Sequence, residues 1–246
     1  MATIFLLASG LVFAQNGSRG GVSDPTPAGP YRAVSEGFDD ITAMPGWAMQ
    51  NNSSPLGITN WFQGNPVTFN AHSGANNSYI GANFNNTTGS TGTISNWLVT
   101  PMLNFGGGDS ISFWTRTVAS SGWADRLQVR TSNTGNSPGS GATAVGDFTN
   151  LVLDINPTYV PANYPSVWTE YTPTSGFGGG TGYAAFRYFV EDAGPAGDNS
   201  NYIGIDSVTI NDGLSVPTLS QWGMVGFLFV LVLSSLIIIR RRPQQA

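Results

Sequence analysis

The chain has 246 residues, no Cys, a single His (His72) and a formal net charge of −5, and all nine of its basic residues are Arg. Zero Cys excludes a disulfide framework, a zinc–thiolate centre and a thiol nucleophile together. Setting aside the three Arg at the extreme C-terminus, six Arg face 14 Asp and Glu, so the clustered cations that grip nucleic acid phosphates are missing.

Residues 1–14, MATIFLLASGLVFA, form one apolar stretch ending in Val12-Phe13-Ala14. Short side chains at the −3 and −1 positions suit cleavage after Ala14, so the segment reads as a signal peptide. No Lys or Arg precedes its apolar core, and a buried N-terminal strand is the competing reading. Residues 15–33 are rich in Gly, Pro, Ser and Asp and read as a linker.

From Val34 to Asn211 short apolar runs are separated by Gly, Asn, Pro and Asp clusters. With 32 Gly, 15 Pro and few charges, the composition points to strands and loops rather than helices. The 14 Phe, 8 Tyr and 7 Trp argue against disorder, because each aromatic buries roughly 150–250 Å² in a folded chain. Strands are predicted near 34–38, 46–49, 60–63, 78–84, 96–99, 110–118, 126–131, 150–155, 166–172, 183–190 and 202–210. Alternation is clearest at 110–117, where Ile111 and Phe113 take one face and Ser110, Ser112 and Arg116 the other. Leu127 and Val129 alternate with Arg126, Gln128 and Arg130 in the same way. A run of strands with no useful amphipathic helix predicts an all-β fold, two antiparallel sheets packed as a β-sandwich. Trp47, Trp61, Trp97, Trp114, Trp123 and Trp168 are expected mostly in its core or at sheet edges.

Residues 212–221 read as a linker with a short motif, and Trp222–Ile239 is 18 residues without a charge. At about 1.5 Å per residue a helix of that length nearly matches the ~30 Å hydrocarbon core, so 222–239 is predicted to be a transmembrane helix. Arg240, Arg241 and Arg242 follow at once as a stop-transfer cluster, and basic residues favour the cytoplasmic side. That orientation places 34–211 outside and the basic tail, 240–246, in the cytoplasm.

Just before the span stand Val216, Pro217, Thr218 and Leu219, followed by Ser220-Gln221-Trp222-Gly223. Together with the span and the Arg cluster this resembles the IPTL-CTERM protein-sorting signal, with Val216 where the family has Ile. The resemblance implies an envelope sorting or processing enzyme as a partner. A second resemblance covers 34–211. Glu36-Gly37-Phe38-Asp39, Met44-Pro45-Gly46-Trp47, Asn96-Trp97-Leu98-Val99-Thr100-Pro101, Asp125-Arg126-Leu127-Gln128-Val129-Arg130 and Ile203-Gly204-Ile205-Asp206-Ser207-Val208 occur in the order found in choice-of-anchor J domains. That resemblance implies an antiparallel jelly-roll β-sandwich related to cleaved-adhesin and MAM domains. It further implies surface attachment or adhesion and no established reaction, in a bacterial cell-envelope protein.

Hard cations such as Ca²⁺ take oxygen ligands from carboxylates, amides and backbone. Glu36, Asp39 and Asp40 at the start of the domain and Asp206 in its last strand supply carboxylates. Asp39 and Asp206 are expected to share one structural Ca²⁺, as related adhesin domains use structural calcium. Turn chemistry accounts for the same residues, since Asp, Asn and Gly populate loops. No catalytic residue is assigned. A Ser-His-Asp triad would have to use His72, no G-x-S-x-G elbow is present, and Glu36, Glu170 and Glu191 show no spacing that selects a pair. A glycan or surface-protein ligand would need exposed aromatics beside amides. Asn51, Asn52, Trp61 and Gln63, or Asn76, Asn77 and Tyr79, offer the right types. The expected protein is thus exported and membrane-held, with an adhesin-like or matrix domain outside. A carbohydrate-active or hydrolase accessory module and a purely structural envelope protein are the alternatives.

Overall fold

The alternating segment at 110–117 becomes a strand buried at every second residue, with Ile111, Phe113, Thr115 and Thr117 facing inward. In the computed structural model, which describes residues 34–211 apart from 90, 107, 108 and 175, twelve strands form around it. They are β1 (Val34–Glu36), β2 (Ala48–Asn51), β3 (Phe62–Gln63), β4 (Ile80–Asn83), β5 (Gly92–Val99), β6 (Leu103–Phe105), β7 (Ser110–Thr117), β8 (Leu127–Ser132), β9 (Asn150–Ile155), β10 (Thr169–Tyr171), β11 (Gly180–Ala193) and β12 (Tyr202–Asn211). The predicted signal peptide (1–14), linker (15–33), sorting segment (212–221), membrane span (222–239) and basic tail (240–246) lie outside the described residues. Among the described residues no helix is long and apolar enough to cross a membrane.

All strand pairings are antiparallel and make two six-stranded sheets. One has the order β10-β7-β12-β4-β3, with β1 sharing the lower part of β12. The other has the order β2-β5-β11-β8-β9, with β6 on the lower part of β11. Inward side chains of both sheets build one core. Phe113 of β7 meets Phe186 of β11 edge to face with centroids 5.0 Å apart, surrounded by Ile94, Leu98, Leu127, Val129, Ile203 and Ile205. Aromatic pairs in this geometry add specificity beyond the area they bury.

Each sheet also has a covered outer face, which strand periodicity alone does not show. The 64–79 loop folds back over the first sheet, and Phe69, Tyr79 and Tyr202 form a second buried cluster there with Phe62 and Trp168. The cluster sits tightly on β12 because position 204 is Gly. A Cβ at Gly204 would come within 2.9 Å of both Phe69 and Trp168. The 133–149 loop covers the second sheet in the same manner, placing Phe148 on Trp97 and Ala185. Beneath it Arg187 is 2 % exposed, between the rings of Phe189 and Trp97 at 4.0 and 4.7 Å. Its guanidinium donates to Ser95 Oγ, Gln128 Oε1 and the Ala142 carbonyl.

Strand direction gives the sandwich two unlike ends. Val34 pairs with Ile210, and Asn211 with Ser110, so both ends of the described chain leave from one pole. The loops 52–61, 84–91, 118–126, 156–168 and 194–201 gather at the other, here called the distal pole.

Candidate functional site

The predicted carboxylates fall in different settings. Glu36 Oε1 accepts from the Phe38 amide (2.8 Å), stabilising a left-handed turn in which Phe38 has φ 53°. Asp40 is exposed and caps the Thr42 amide and hydroxyl, which hold its carboxyl below the ordinary range. Asp206 is fully buried where β12 bulges between Asp206 and Thr209. Its Oδ2 accepts from the amides of His72 (2.8 Å) and Ser73 (3.0 Å), and its Oδ1 from the amide of Ser207 (2.5 Å). Burial pushes its pKa up, and these amide bonds oppose the rise. Asp206 therefore clasps the 64–79 loop to the sheet. Asp39 is exposed beside the same loop, its Oδ1 3.1 Å from where a Cβ on Gly74 would lie. Among the described residues no three acid or His side chains converge as a metal group. An ion on Asp206 would compete with three N–H donors for the carboxylate lone pairs.

His72 is stacked on Trp114, with centroids 3.8 Å apart and planes 13° from parallel. Its Nδ1 lies 3.0 Å from Ser207 Oγ, while Asp206 binds the backbone amide of His72 instead of its ring. Serine, histidine and aspartate are adjacent here, yet the Asp–His ring contact that orients a catalytic imidazole is not made. Among the predicted glycan contacts, Trp61 (4 % exposed) and Tyr79 (0 %) belong to buried clusters and offer no ring face to a ligand. Gln63 is likewise occupied, donating to the Phe38 and Asn77 carbonyls and accepting from Ile41. Asn51 and Asn52 bind the Thr59 and Gly139 carbonyls.

Two open concavities lie at the distal pole, on residues outside the predicted glycan contacts. One hollow, of about 450 Å³, is lined by Ser54, Thr91, Thr93, Tyr159, Glu191 and Asp192. A bulge in β11 between Val190 and Ala193, with Asp192 at φ 50°, turns both acids out at its rim. Tyr159 Oη accepts from Arg126, which is itself paired with Asp154 at 2.6 Å. A second hollow, of about 210 Å³, is lined by Phe84, Trp123, Gly194, Pro195, Ser200 and Asn201. Leu56, Ile58, Val160 and Val167 are further exposed apolar side chains on the loops of this pole. The signal for Trp123 was present in Ser120-Ser121-Gly122-Trp123-Ala124-Asp125, a large ring among small residues with no strand alternation.

No family model matches the chain, and no curated protein matches it. Among solved structures it is similar to the K1 cleaved adhesin domain of Lys-gingipain from Porphyromonas gingivalis W83, with 25 % identity and a TM-score of 0.52 over 73 % of this chain and 98 % of that one. It is also similar to the K3 cleaved adhesin domain of the same protein, with 22 % identity and a TM-score of 0.50 over 72 % of this chain and 96 % of that one. The chain therefore has an adhesin-like jelly-roll sandwich, the fold that the resemblance over 34–211 implied.

Proposed function

We propose that this is an exported cell-envelope protein whose sandwich is a non-catalytic, adhesin-like binding module, with its distal pole as the binding end. The observation that carries the reading is topological. Val34 and Asn211 leave from one pole, while both hollows and the exposed Leu56, Ile58 and Trp123 lie at the other. A domain tethered through residues 212–246 presents that end outward. The likeness to the K1 cleaved adhesin domain supports a binding role. The His72 geometry supports the absence of hydrolysis, and the apolar stretch at 222–239 with Arg240–Arg242 supports a membrane tether.

Three experiments test the reading. Purified protein is applied to immobilised glycans and matrix proteins as wild type, as Ile58→Ser and as Met102→Ser. Ile58 is 83 % exposed at the distal pole, and Met102 is 63 % exposed on the loop between β5 and β6 at the opposite one. Binding should fall for Ile58→Ser and persist for Met102→Ser; the reverse pattern would place the binding end at the wrong pole. For the tether, protease added outside intact spheroplasts should remove 34–211 and spare the tail, and Pro217→Ala should change fractionation if a sorting enzyme reads the motif. A digested tail with a protected domain would overturn the orientation.

A further inference from the structure

Among the described residues Trp123 is the exposed Trp, with 51 % of its surface accessible. Its setting is rigid. The Trp123 amide donates to Ser121 Oγ, Ser121 Oγ donates to the Trp123 carbonyl, and Asn201 Nδ2 donates to the same Ser121 Oγ. Two residues on from Trp123, Asp125 is fully buried and accepts from Thr117 Oγ1 on β7, Tyr188 Oη on β11 and the Asn201 amide. The Ser200 amide closes the base on the Ala124 carbonyl. One carboxylate thus ties together two of the three loops that wall the smaller hollow, so little ordering of them remains to be done when a ligand enters.

The lining is uncharged and combines apolar rings with polar groups. It carries the rings of Phe84, Trp123 and Pro195 and the polar groups of Ser200 and Asn201, with no charged side chain. Ser200 Oγ accepts from Gly194, and among the described residues its own proton is given to no acceptor. Asn201 Oδ1 receives no hydrogen bond among the described residues and is an acceptor. An aromatic face beside one donor and one acceptor matches a sugar ring, whose C–H face is apolar and whose hydroxyls both give and take hydrogen bonds. The volume of about 210 Å³ falls below the roughly 300–1,000 Å³ of pockets for drug-sized ligands, leaving room for one ring. An apolar peptide side chain would leave Ser200 and Asn201 unpaired, which costs affinity. An acidic sugar would find no cation in the hollow and would face Glu191 and Asp192 in the neighbouring one.

We propose that this hollow binds one pyranose ring of a neutral glycan, stacked on Trp123 and hydrogen-bonded by Ser200 and Asn201. The proposal rests on the distal pole being the binding end. The test uses the full chain in detergent on an array of neutral glycans ending in glucose, galactose, mannose or N-acetylglucosamine, with sialylated and sulfated counterparts. Neutral glycans should bind, Trp123→Ala should weaken them by about tenfold or more, as for an anchoring Trp, and Trp123→Tyr should stay within about threefold. Thermal melts of both variants should match wild type, since the ring is exposed. A blank array, binding confined to sialylated or sulfated glycans, or neutral binding that survives Trp123→Ala would overturn the proposal. If Ile58→Ser still abolishes attachment to a matrix protein in any of those cases, the sugar hollow fails while the distal binding end stands.

Discussion

Arg187 offers a direct measure of what holds the 133–149 loop to the second sheet. Burial, and then the neighbouring Arg130 and Arg126, push its pKa down to about 9, so the guanidinium is still charged at neutral pH. Arg187→Ala removes three hydrogen bonds from a charged donor, each worth about 1.5 kcal/mol, and two ring contacts worth about 1 kcal/mol each. Relief of the buried charge offsets several kcal/mol of that loss. The expected net destabilisation is about 3 kcal/mol, or about 6–12 °C in melting temperature for a domain of this size. Arg187→Met should cost only about 1 kcal/mol, since it fills the slot between Trp97 and Phe189 without a charge. Of the three acceptors it would abandon, Ser95 Oγ still receives Trp97 Nε1 and Gln128 Oε1 still receives Arg130, leaving the Ala142 carbonyl. Urea and thermal melts of the 34–211 domain measure both variants, and limited proteolysis should show faster cleavage within 133–149 for Arg187→Ala. Equal destabilisation by Met and Ala would refute the argument, because hydrogen bonding rather than filled space would then dominate.

Asp206→Ala should destabilise the domain by about 2–3 kcal/mol by orphaning the amides of His72, Ser73 and Ser207, and chelator should leave the wild-type melt unchanged. A chelator-sensitive melt abolished by Asp206→Ala would instead establish the calcium bridge to Asp39. Gly204→Ala should cost about 1–3 kcal/mol by urea denaturation, because its Cβ would press on Phe69, Trp168 and Tyr79; a neutral result would mean the outer cluster is loosely packed. Burial raises the Asp125 pKa in the folded state, so this group's stabilisation is full below the ordinary carboxylate range and is lost as pH rises through the folded value. The melting temperature of wild type relative to Asp125→Asn should accordingly rise on acidification from pH 7 toward pH 4, and a constant or falling difference would contradict the assignment.

Eleven of the strands were legible because apolar runs bounded by Gly, Asn and Pro survive folding as strands. Leu103–Phe105 was missed, since a strand of three residues is too short to show alternation. β11 runs past the predicted 183–190 at both ends, through Gly180 and Gly182 and across the bulge at Glu191 and Asp192. Period-two reasoning identified which face Ile111, Phe113, Leu127 and Val129 take. It did not show that Tyr79, Arg187 and Asp206, on the outer faces, would be buried. That burial depends on loops returning from 64–79 and 133–149, a contact between segments far apart in the chain. The carboxylates at 36, 39, 40 and 206 were identifiable by type, but two of the three amides that Asp206 holds are supplied by a loop 133 and 134 residues away. The distal hollows were hidden for the same reason, since each gathers residues from segments far apart in the chain, and only the lone ring of Trp123 among small neighbours hinted at one of them.

The shared departure of Val34 and Asn211 from one pole has a mechanical consequence. For a domain held through Asn211 and loaded at the opposite loops, force runs lengthwise along β12, whose ten residues pair with β7 from Ile203 to Asn211 and with β4 and β1 on the other edge. Antiparallel hydrogen bonds lie across the strand direction, so such a pull loads the whole ladder in shear at once. Force applied between Val34 and Asn211 would instead peel β1 from β12 one pair at a time, through only Val34–Ile210, Ser35–Thr209 and Glu36–Val208. The fold is thus directionally strong, resisting tension along the line from ligand to tether far better than tension between its own two ends.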